Sequence, residues 1–253
     1  MDVTIYDDLV SSELLKKLYD WAKTKTYYVG YRGVMHDFDL TKNNIHTDTF
    51  AQHGIYRHPL GNTVEQVEKR FPEAIELWNI INKEIFNNKA SFEDGIPEDH
   101  YYYGFNGHLT QDGLSFYEKY DVEPVENDAF TCYINGRCPT VVNATSLADD
   151  SGGIHKDCIP SLYGHKGYYT VLCALNPNWK PSYAGEILYF DPDEKGMEHP
   201  KRGYDVGWPK MCYGNKPGSI VVYDANTIHK TFPPNAIAPE FALRIAFRVK
   251  VAD

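Results

Sequence analysis

Two histidines and one aspartate in this sequence have the chemistry to hold a metal ion. His155 and Asp157 stand two residues apart in the run Gly-Gly-Ile-His-Lys-Asp. On an extended strand, residues i and i+2 point to the same face, so an imidazole and a carboxylate can approach one ion together. A third donor, His229, follows 74 residues later in Tyr-Asp-Ala-Asn-Thr-Ile-His-Lys, beyond a β-rich run and the Pro217-Gly218 turn. Two imidazoles and one carboxylate on one side of a divalent ion leave its other positions open to small molecules.

His-x-Asp is a weak signal alone. His46-Thr47-Asp48 is a second copy, followed by His53, His58, His100 and His108. Three features favour the later copy. It precedes a run of strands, a histidine follows at a strand end after a Pro-Gly turn, and an arginine comes on the final strand. That arginine is Arg244. In the last β-rich run, Phe241, Leu243, Ile245, Phe247 and Val249 alternate with Ala242, Arg244, Ala246 and Arg248. The apolar face must meet a core layer, with the helices as the expected partner. The other face sets Arg244 between two alanines. A buried guanidinium requires an anion. Small neighbours leave room for that anion to be a ligand, although a side chain such as Glu186 or Asp224 would meet the same need. His165, His199 and Cys158 lie near the His-x-Asp pair in sequence and read as bystanders. Cys158 directly follows Asp157, and on a strand it would face away. Asp224 and Asn226 read as turn residues.

These side chains need a scaffold. Met1 to Val10 reads as a short strand and turn. A helix is expected from about Ser12 to Lys23, where Leu14, Leu15, Leu18, Trp21 and Ala22 form one stripe and Ser11 or Ser12 can cap it. A second helical region covers about Asn62 to Asn87, and Pro72 starts a new first turn inside it, so two helices in tandem are expected. In the second, Ile75, Trp78, Ile81 and Ile85 recur at helical spacing as core residues. The stretches Tyr27 to His58 and Ser91 to Glu126 read as irregular, rich in Tyr, His, Asp and Gly. Long loops of this kind often serve as lids or binding loops. The C-terminal half offers β-rich runs at Ala129 to Asn135, Tyr168 to Asn176, Glu186 to Phe190, Ser219 to Tyr223 and Phe241 to Val251. Asp191 to Arg202 reads as a solvated loop between strands. Short strands with turn signals between them suggest a barrel or double-sheet roll. The expectation is one α+β, mainly β domain over residues 1–253, with a helical part over about 1–128 packed on a β core over about 129–253.

Composition sets outer bounds. The 253 residues are 42% hydrophobic and 24% charged, a globular balance. The net charge of −10 argues against nucleic acid or an anionic membrane as the main partner. Five cysteines, an odd number with no C-x-x-C pair, argue against a disulfide framework or a structural zinc site. They fit a reducing, cytoplasmic location. No signal-peptide pattern and no long apolar run is visible. Twenty tyrosines suit either a ligand cleft or a β-rich core. The oligomeric state is left open.

The C-terminal half, from about Ala129 onward, resembles the 2-oxoglutarate/iron(II)-dependent oxygenase superfamily, in particular its prolyl-hydroxylase-like branch. The resemblance rests on His155-Lys156-Asp157, the run Tyr169 to Asn176 with Trp179, Gly185 to Phe190, Lys216 to Asp224, His229, and Leu243 to Phe247, in that order. It implies a double-stranded β-helix, or jelly-roll, core. It implies iron(II) on His155, Asp157 and His229, in line with the two-histidine, one-carboxylate pattern of non-haem iron oxygenases. It further implies that Arg244 binds the distal carboxylate of 2-oxoglutarate, with Tyr133, Asn135 and Thr170 as additional contacts to that cosubstrate. Molecular oxygen is then the second substrate, succinate and carbon dioxide are products, and ascorbate is a candidate accessory reductant. No protein acid or nucleophile beyond the metal ligands is required. The expected reaction is hydroxylation of an unactivated C–H bond in a peptidyl residue (prolyl-type) or a small molecule. Tyr101, Tyr102, Tyr103 and Trp179 are the candidate substrate contacts. Two rival readings remain: a silent jelly-roll module that binds a sugar or peptide, and a cupin-type metalloenzyme that does not use 2-oxoglutarate.

Overall fold

The computed structural model describes residues 3–29, 37–39, 55–61, 63–92, 132–137, 154, 156–157, 166–192, 198–199, 203–204 and 206–252. Three helices precede most of the strands: α1 (Ser12–Ala22), α2 (Val64–Arg70) and α3 (Pro72–Glu84). Each begins where local chemistry directs. The Ser11 hydroxyl accepts from the Leu14 amide at 3.1 Å, and the Thr63 hydroxyl accepts from the Gln66 amide at 3.2 Å. Pro72 opens α3, where its missing N–H costs nothing. Leu14, Leu15, Leu18 and Ala22 of α1 are buried, as are Ala74, Ile75, Leu77, Trp78 and Ile81 of α3.

The rest of the described chain is mainly antiparallel sheet. In chain order the strands are β1 (Val3–Tyr6), β2 (Thr26–Val29), β3 (Asp37–Asp39), β4 (Ile55–Gly61), β5 (Ala90–Phe92), β6 (Cys132–Arg137), β7 (Tyr168–Ala174), β8 (Ile187–Pro192), β9 (Glu198–His199), β10 (Gly203–Tyr204), β11 (Val206–Tyr213), β12 (Ile220–Asp224), β13 (Ile228–Thr231) and β14 (Ala242–Val251). The large sheet runs β1-β12-β7-β14-β6-β4-β2-β3, with β5 also paired to β14. A smaller sheet runs β11-β8-β13, and β9 pairs with β10.

The large sheet is buried on both faces. Val171 and Cys173 of β7, Ile220 and Val222 of β12, and Leu243, Ile245, Phe247 and Val249 of β14 share one apolar core with the helices. Trp78 of α3 packs its ring 4.9 Å from Phe92 and 5.7 Å from Phe247. The opposite face meets the smaller sheet. There Leu172, Ala174, Val221, Tyr223 and Ala246 pack with Ile187, Tyr189 and Tyr213. The alternation read in β14 therefore separates two layers, with the helices on one side and the inter-sheet core on the other.

Two expectations need correction. The stretch Tyr27 to His58 was read as irregular, yet it contributes β2 and β3 and most of β4. These strands carry no clean alternation of their own. They form because β6 offers its edge to β4, which pairs on to β2, a case of tertiary context overriding local pattern. Asp191 to Arg202 was read as a loop, but β8 continues to Pro192 and Glu198–His199 pairs with Gly203–Tyr204. Of Ser91 to Glu126, only Ser91 and Phe92 are described, and both lie in β5. Among the described residues, no helix is long and apolar enough to cross a membrane.

Phe247 is fully buried where helices and sheet meet. Replacing it with alanine should cost about 3–5 kcal/mol of unfolding free energy in a urea titration. A loss below about 1 kcal/mol would contradict this packing.

Candidate metal centre and anion pocket

Backbone register brings the first cluster together. Thr170 of β7 pairs with Tyr223 of β12 on one side and with Arg248 of β14 on the other. Directly opposed residues on neighbouring strands project to the same face, so the three form one row on the inner side of the large sheet. Asp157 meets this row. It stands outside the strands, so the strand expected around the His-x-Asp pair is absent at Lys156 and Asp157. Its amide donates to the Ala225 carbonyl at 3.1 Å, which pins it to the end of β12. The Thr170 hydroxyl donates to Asp157 Oδ2 at 2.8 Å and the Tyr223 hydroxyl donates to the same oxygen at 2.6 Å. Two donors on one oxygen fix the carboxylate's rotation and direct Oδ1 elsewhere.

Oδ1 faces positive and metal-binding chemistry. It lies 3.7 Å from His229 Nε2 and 3.8 Å from Arg248 Nη2. His229 sits on β13 and is buried. Its Nδ1 is 3.0 Å from the Thr227 carbonyl oxygen. A carbonyl can only accept, so Nδ1 donates to it, and this turns Nε2 toward Asp157. A metal-ligating histidine is oriented in the same way, its other ring nitrogen donating to a backbone carbonyl. Asp157 and His229 thus bring an oxygen and a nitrogen of the types that hold a divalent metal close together, and with a third donor they would fit one. His155, the third expected ligand, lies outside the described residues.

A second polar feature lies four residues along the same strands, about 13 Å from the first row. Arg244 of β14 pairs with Ala174 of β7 and is only 2% exposed. Its Nε donates to Asn215 Oδ1 at 2.5 Å, and its Nη2 donates to the Gly185 carbonyl. The Asn215 amide donates to that carbonyl too, at 2.5 Å. Gly185 has φ 87, where a side chain is strained, and a Cβ there would meet Asn215 Nδ2 at 3.1 Å. Both acceptors of Arg244 are neutral. Among the described residues no carboxylate, Glu186 and Asp224 included, comes within ion-pair distance of it. Burial accordingly pulls its pKa below the usual guanidinium value, while the nearby Tyr213, Tyr189 and Tyr223 oppose that shift. Between the Asp157 row and Arg244, the inner face offers Leu172, Val221 and Ala246, a short apolar interval.

The remaining expected site residues fall as follows. Thr170 serves Asp157 directly. Backbone register sets Asn135 opposite Arg244 and Tyr133 opposite Ala246, but their side chains are outside the described ones. Trp179 is buried beside Tyr183, and its Nε1 donates to the Ala184 carbonyl at 3.1 Å. Tyr101, Tyr102 and Tyr103 lie outside the described residues, as do Cys158 and His165. The Asp224 side chain accepts from the Asn226 amide at 2.7 Å, closing a turn. Sequence reading passed over Tyr223, Arg248, Asn215 and Tyr189. The β14 alternation had already put Arg248 on the Arg244 face. Tyr223 could have been found from its place at the end of the run before His229. Nothing in the local pattern points to Asn215.

No family model matches the chain, and no curated protein matches it. Similar solved structures are prolyl hydroxylases and other 2-oxoglutarate/iron(II) oxygenases. One is a prolyl hydroxylase from Trichoplax adhaerens in complex with a hypoxia inducible factor peptide fragment (14% identity, 98% of this chain, 83% of that chain, TM-score 0.47). Another is a Pseudomonas putida prolyl-4-hydroxylase (11% identity, 99% and 93%, TM-score 0.46). A third is HygX from Streptomyces hygroscopicus with nickel and 2-oxoglutarate bound (9% identity, 99% and 83%, TM-score 0.46). All three likenesses are distant.

Tyr223→Phe and Thr170→Val each remove one donor from Asp157 Oδ2. Each should weaken divalent-metal affinity by about tenfold or more, with the fold retained, as read by competitive titration against a chelating dye. Unchanged affinity in both variants would contradict the orienting role.

Proposed function

We propose that the chain is a 2-oxoglutarate- and iron(II)-dependent dioxygenase on a jelly-roll (double-stranded β-helix) core. Its expected reaction is hydroxylation of an unactivated C–H bond in a peptidyl residue of the prolyl type or in a small molecule. The observation that carries this reading is the pairing of two features on one inter-sheet face. Asp157 and His229 bring a carboxylate oxygen and an imidazole nitrogen to within 3.7 Å of each other. Arg244, buried without a carboxylate among the described residues, stands ready for an anion farther along the same strands. A keto acid that chelates a metal at one end and ends in a carboxylate at the other satisfies both at once. The two facing antiparallel sheets are the support for the jelly-roll assignment.

Iron(II) and 2-oxoglutarate, when bound, would supply the oxidation of the C–H bond by molecular oxygen with release of succinate and carbon dioxide. The chain's own residues do the rest. His155, Asp157 and His229 would hold the metal. Thr170 and Tyr223 hold the Asp157 carboxylate in one rotation, so no ordering is needed when the ion arrives. The Thr227 carbonyl orients the His229 ring. Asn215 and the Gly185 carbonyl fix the Arg244 fork, which would grip the distal carboxylate of the keto acid. Leu172, Val221 and Ala246 keep the interval between the two sites dry, which strengthens every polar contact within it. Arg248 adds positive charge beside Asp157.

Asp157→Ala and His229→Ala should each abolish succinate formation from 2-oxoglutarate. Arg244→Ala should raise the apparent KM for 2-oxoglutarate by about tenfold or more, since it removes a charge-assisted contact. Undiminished turnover in all three would contradict the proposal, and turnover independent of the keto acid would favour the cupin-type alternative.

A further inference from the structure

The inner face of the large sheet continues past the Asp157 row to an open end. On β14 a period of two puts Lys250 on the same face as Arg244 and Arg248. Tyr168 of β7 stands directly opposite Lys250, and Lys250 Nζ lies 5.7 Å from the centre of its ring. Burial ends here on three neighbouring strands at once. Lys250 is exposed, Tyr168 is half-buried, and Asp224 closes β12 half-buried. From the interior outward, the face therefore carries Arg244, the apolar row, Arg248 level with Asp157, and then Lys250 and Tyr168 at the opening.

This order divides the face into two sides. A keto acid that spans the metal ligands and Arg244 occupies the interior side. Arg248 stands in the row of the metal ligands, and Lys250 follows about 7 Å beyond it. That arrangement gives neither cation a part in gripping the keto acid. The chain as a whole has a net charge of −10, so two successive cations at this opening run against its average. Arg248 is only 7% exposed, and its Nη2 lies 3.8 Å from Asp157 Oδ1. His229 Nε2 lies 3.7 Å from the same oxygen. A divalent metal on Asp157 would share that carboxylate with Arg248 and set two more positive charges beside a buried cation. Away from water such charges repel strongly, and an anion next to both is favoured. A guanidinium has five donors, so Arg248 can keep Asp157 and also take a second carboxylate.

We propose that the molecule to be oxidised carries a carboxylate, that Arg248 anchors this group beside the metal, and that Lys250 draws it in at the opening. This rests on the dioxygenase reading, which supplies the metal and places the keto acid on the interior side. An anchor in the row of the metal ligands reaches only a short distance, so the C–H bond attacked lies within a few carbons of the carboxylate. A small acid meets this requirement directly. A peptide meets it through an aspartate or glutamate side chain.

The test is magnetic and needs no turnover. Protein loaded with manganese(II) and saturated with the inert keto-acid analogue N-oxalylglycine is titrated with propanoate and, separately, with propanamide, which has the same shape and no charge. Relaxation of the ligand's protons by manganese reports approach to the metal. Propanoate should show saturable relaxation enhancement and propanamide should not. A blocked tripeptide with a central glutamate, titrated in the same way, tells whether a peptide carboxylate also reaches the site. Arg248→Met should weaken propanoate binding by about tenfold or more while keeping the parent's affinity for N-oxalylglycine. Lys250→Met, at an exposed position, should weaken it by a smaller factor, and this variant serves if Arg248→Met does not fold. Equal enhancement for propanoate and propanamide, or none for either propanoate or the tripeptide, would overturn the proposal with the dioxygenase reading intact. A loss of N-oxalylglycine affinity in Arg248→Met would also overturn it, by assigning that arginine to the keto acid. If the parent protein binds neither manganese(II) nor N-oxalylglycine, the dioxygenase reading itself fails and this proposal falls with it.

Discussion

A guanidinium that burial has stripped of water governs the inner face of this structure. Arg244 is held between two sheets with an amide oxygen and a backbone carbonyl as its described acceptors, and neither bears a charge. Sequestering an unpaired cation costs several kcal/mol. A fold that accepts this cost on its longest strand, with alanines two residues away on either side and another across on β7, suits the anion site proposed above. The neighbouring features agree. Gly185 takes a backbone conformation that a side chain would strain, and its carbonyl thereby serves both Arg244 and Asn215. The arginine's orientation is fixed before any ligand arrives.

The same logic orders the other end of the sheet. The Asp157 carboxylate takes two hydroxyl donors on one oxygen, and His229 donates from Nδ1 to a backbone carbonyl. The other carboxylate oxygen lies near both His229 Nε2 and the Arg248 guanidinium in a buried site. Preorganisation of this type is costly for stability and useful for binding. On the inner face of β12, β7 and β14 an apolar row of Leu172, Val221 and Ala246 separates the Asp157 cluster from Arg244, the spacing on which the proposed ligand rests. The outer face of the same strands does none of this and anchors the helices through Trp78, Phe247 and their neighbours.

Much of this was legible in the sequence, for identifiable reasons. The nine-residue alternation from Phe241 to Val249 announced both faces of the last strand, because a period of two leaves no ambiguity about which residues share a side. Helix starts were legible at Ser11 and Pro72 because caps and proline act locally. The tandem helices α2 and α3 followed from the break between them. What escaped was set by pairing rather than by local pattern. Strands β2 to β4 exist because β6 has a free edge for them to extend. Asn215 becomes a functional candidate only when distant strands meet. The Thr170 hydroxyl donates to Asp157, a contact that only the register with Tyr223 and Arg248 reveals. His155 and the tyrosine run at 101–103 stay expectations of the sequence.

The central claim is that one ion and one carboxylate occupy two ends of a single inter-sheet site. A crystal grown without oxygen, with manganese(II) and an inert keto-acid analogue, would measure this by anomalous scattering and difference density. The account predicts one anomalous peak bonded to Asp157 Oδ1 and His229 Nε2, with the analogue's far carboxylate on the Arg244 fork. Fully ordered Asp157 and His229 with the metal bound elsewhere, or an analogue that leaves Arg244 untouched, would contradict it.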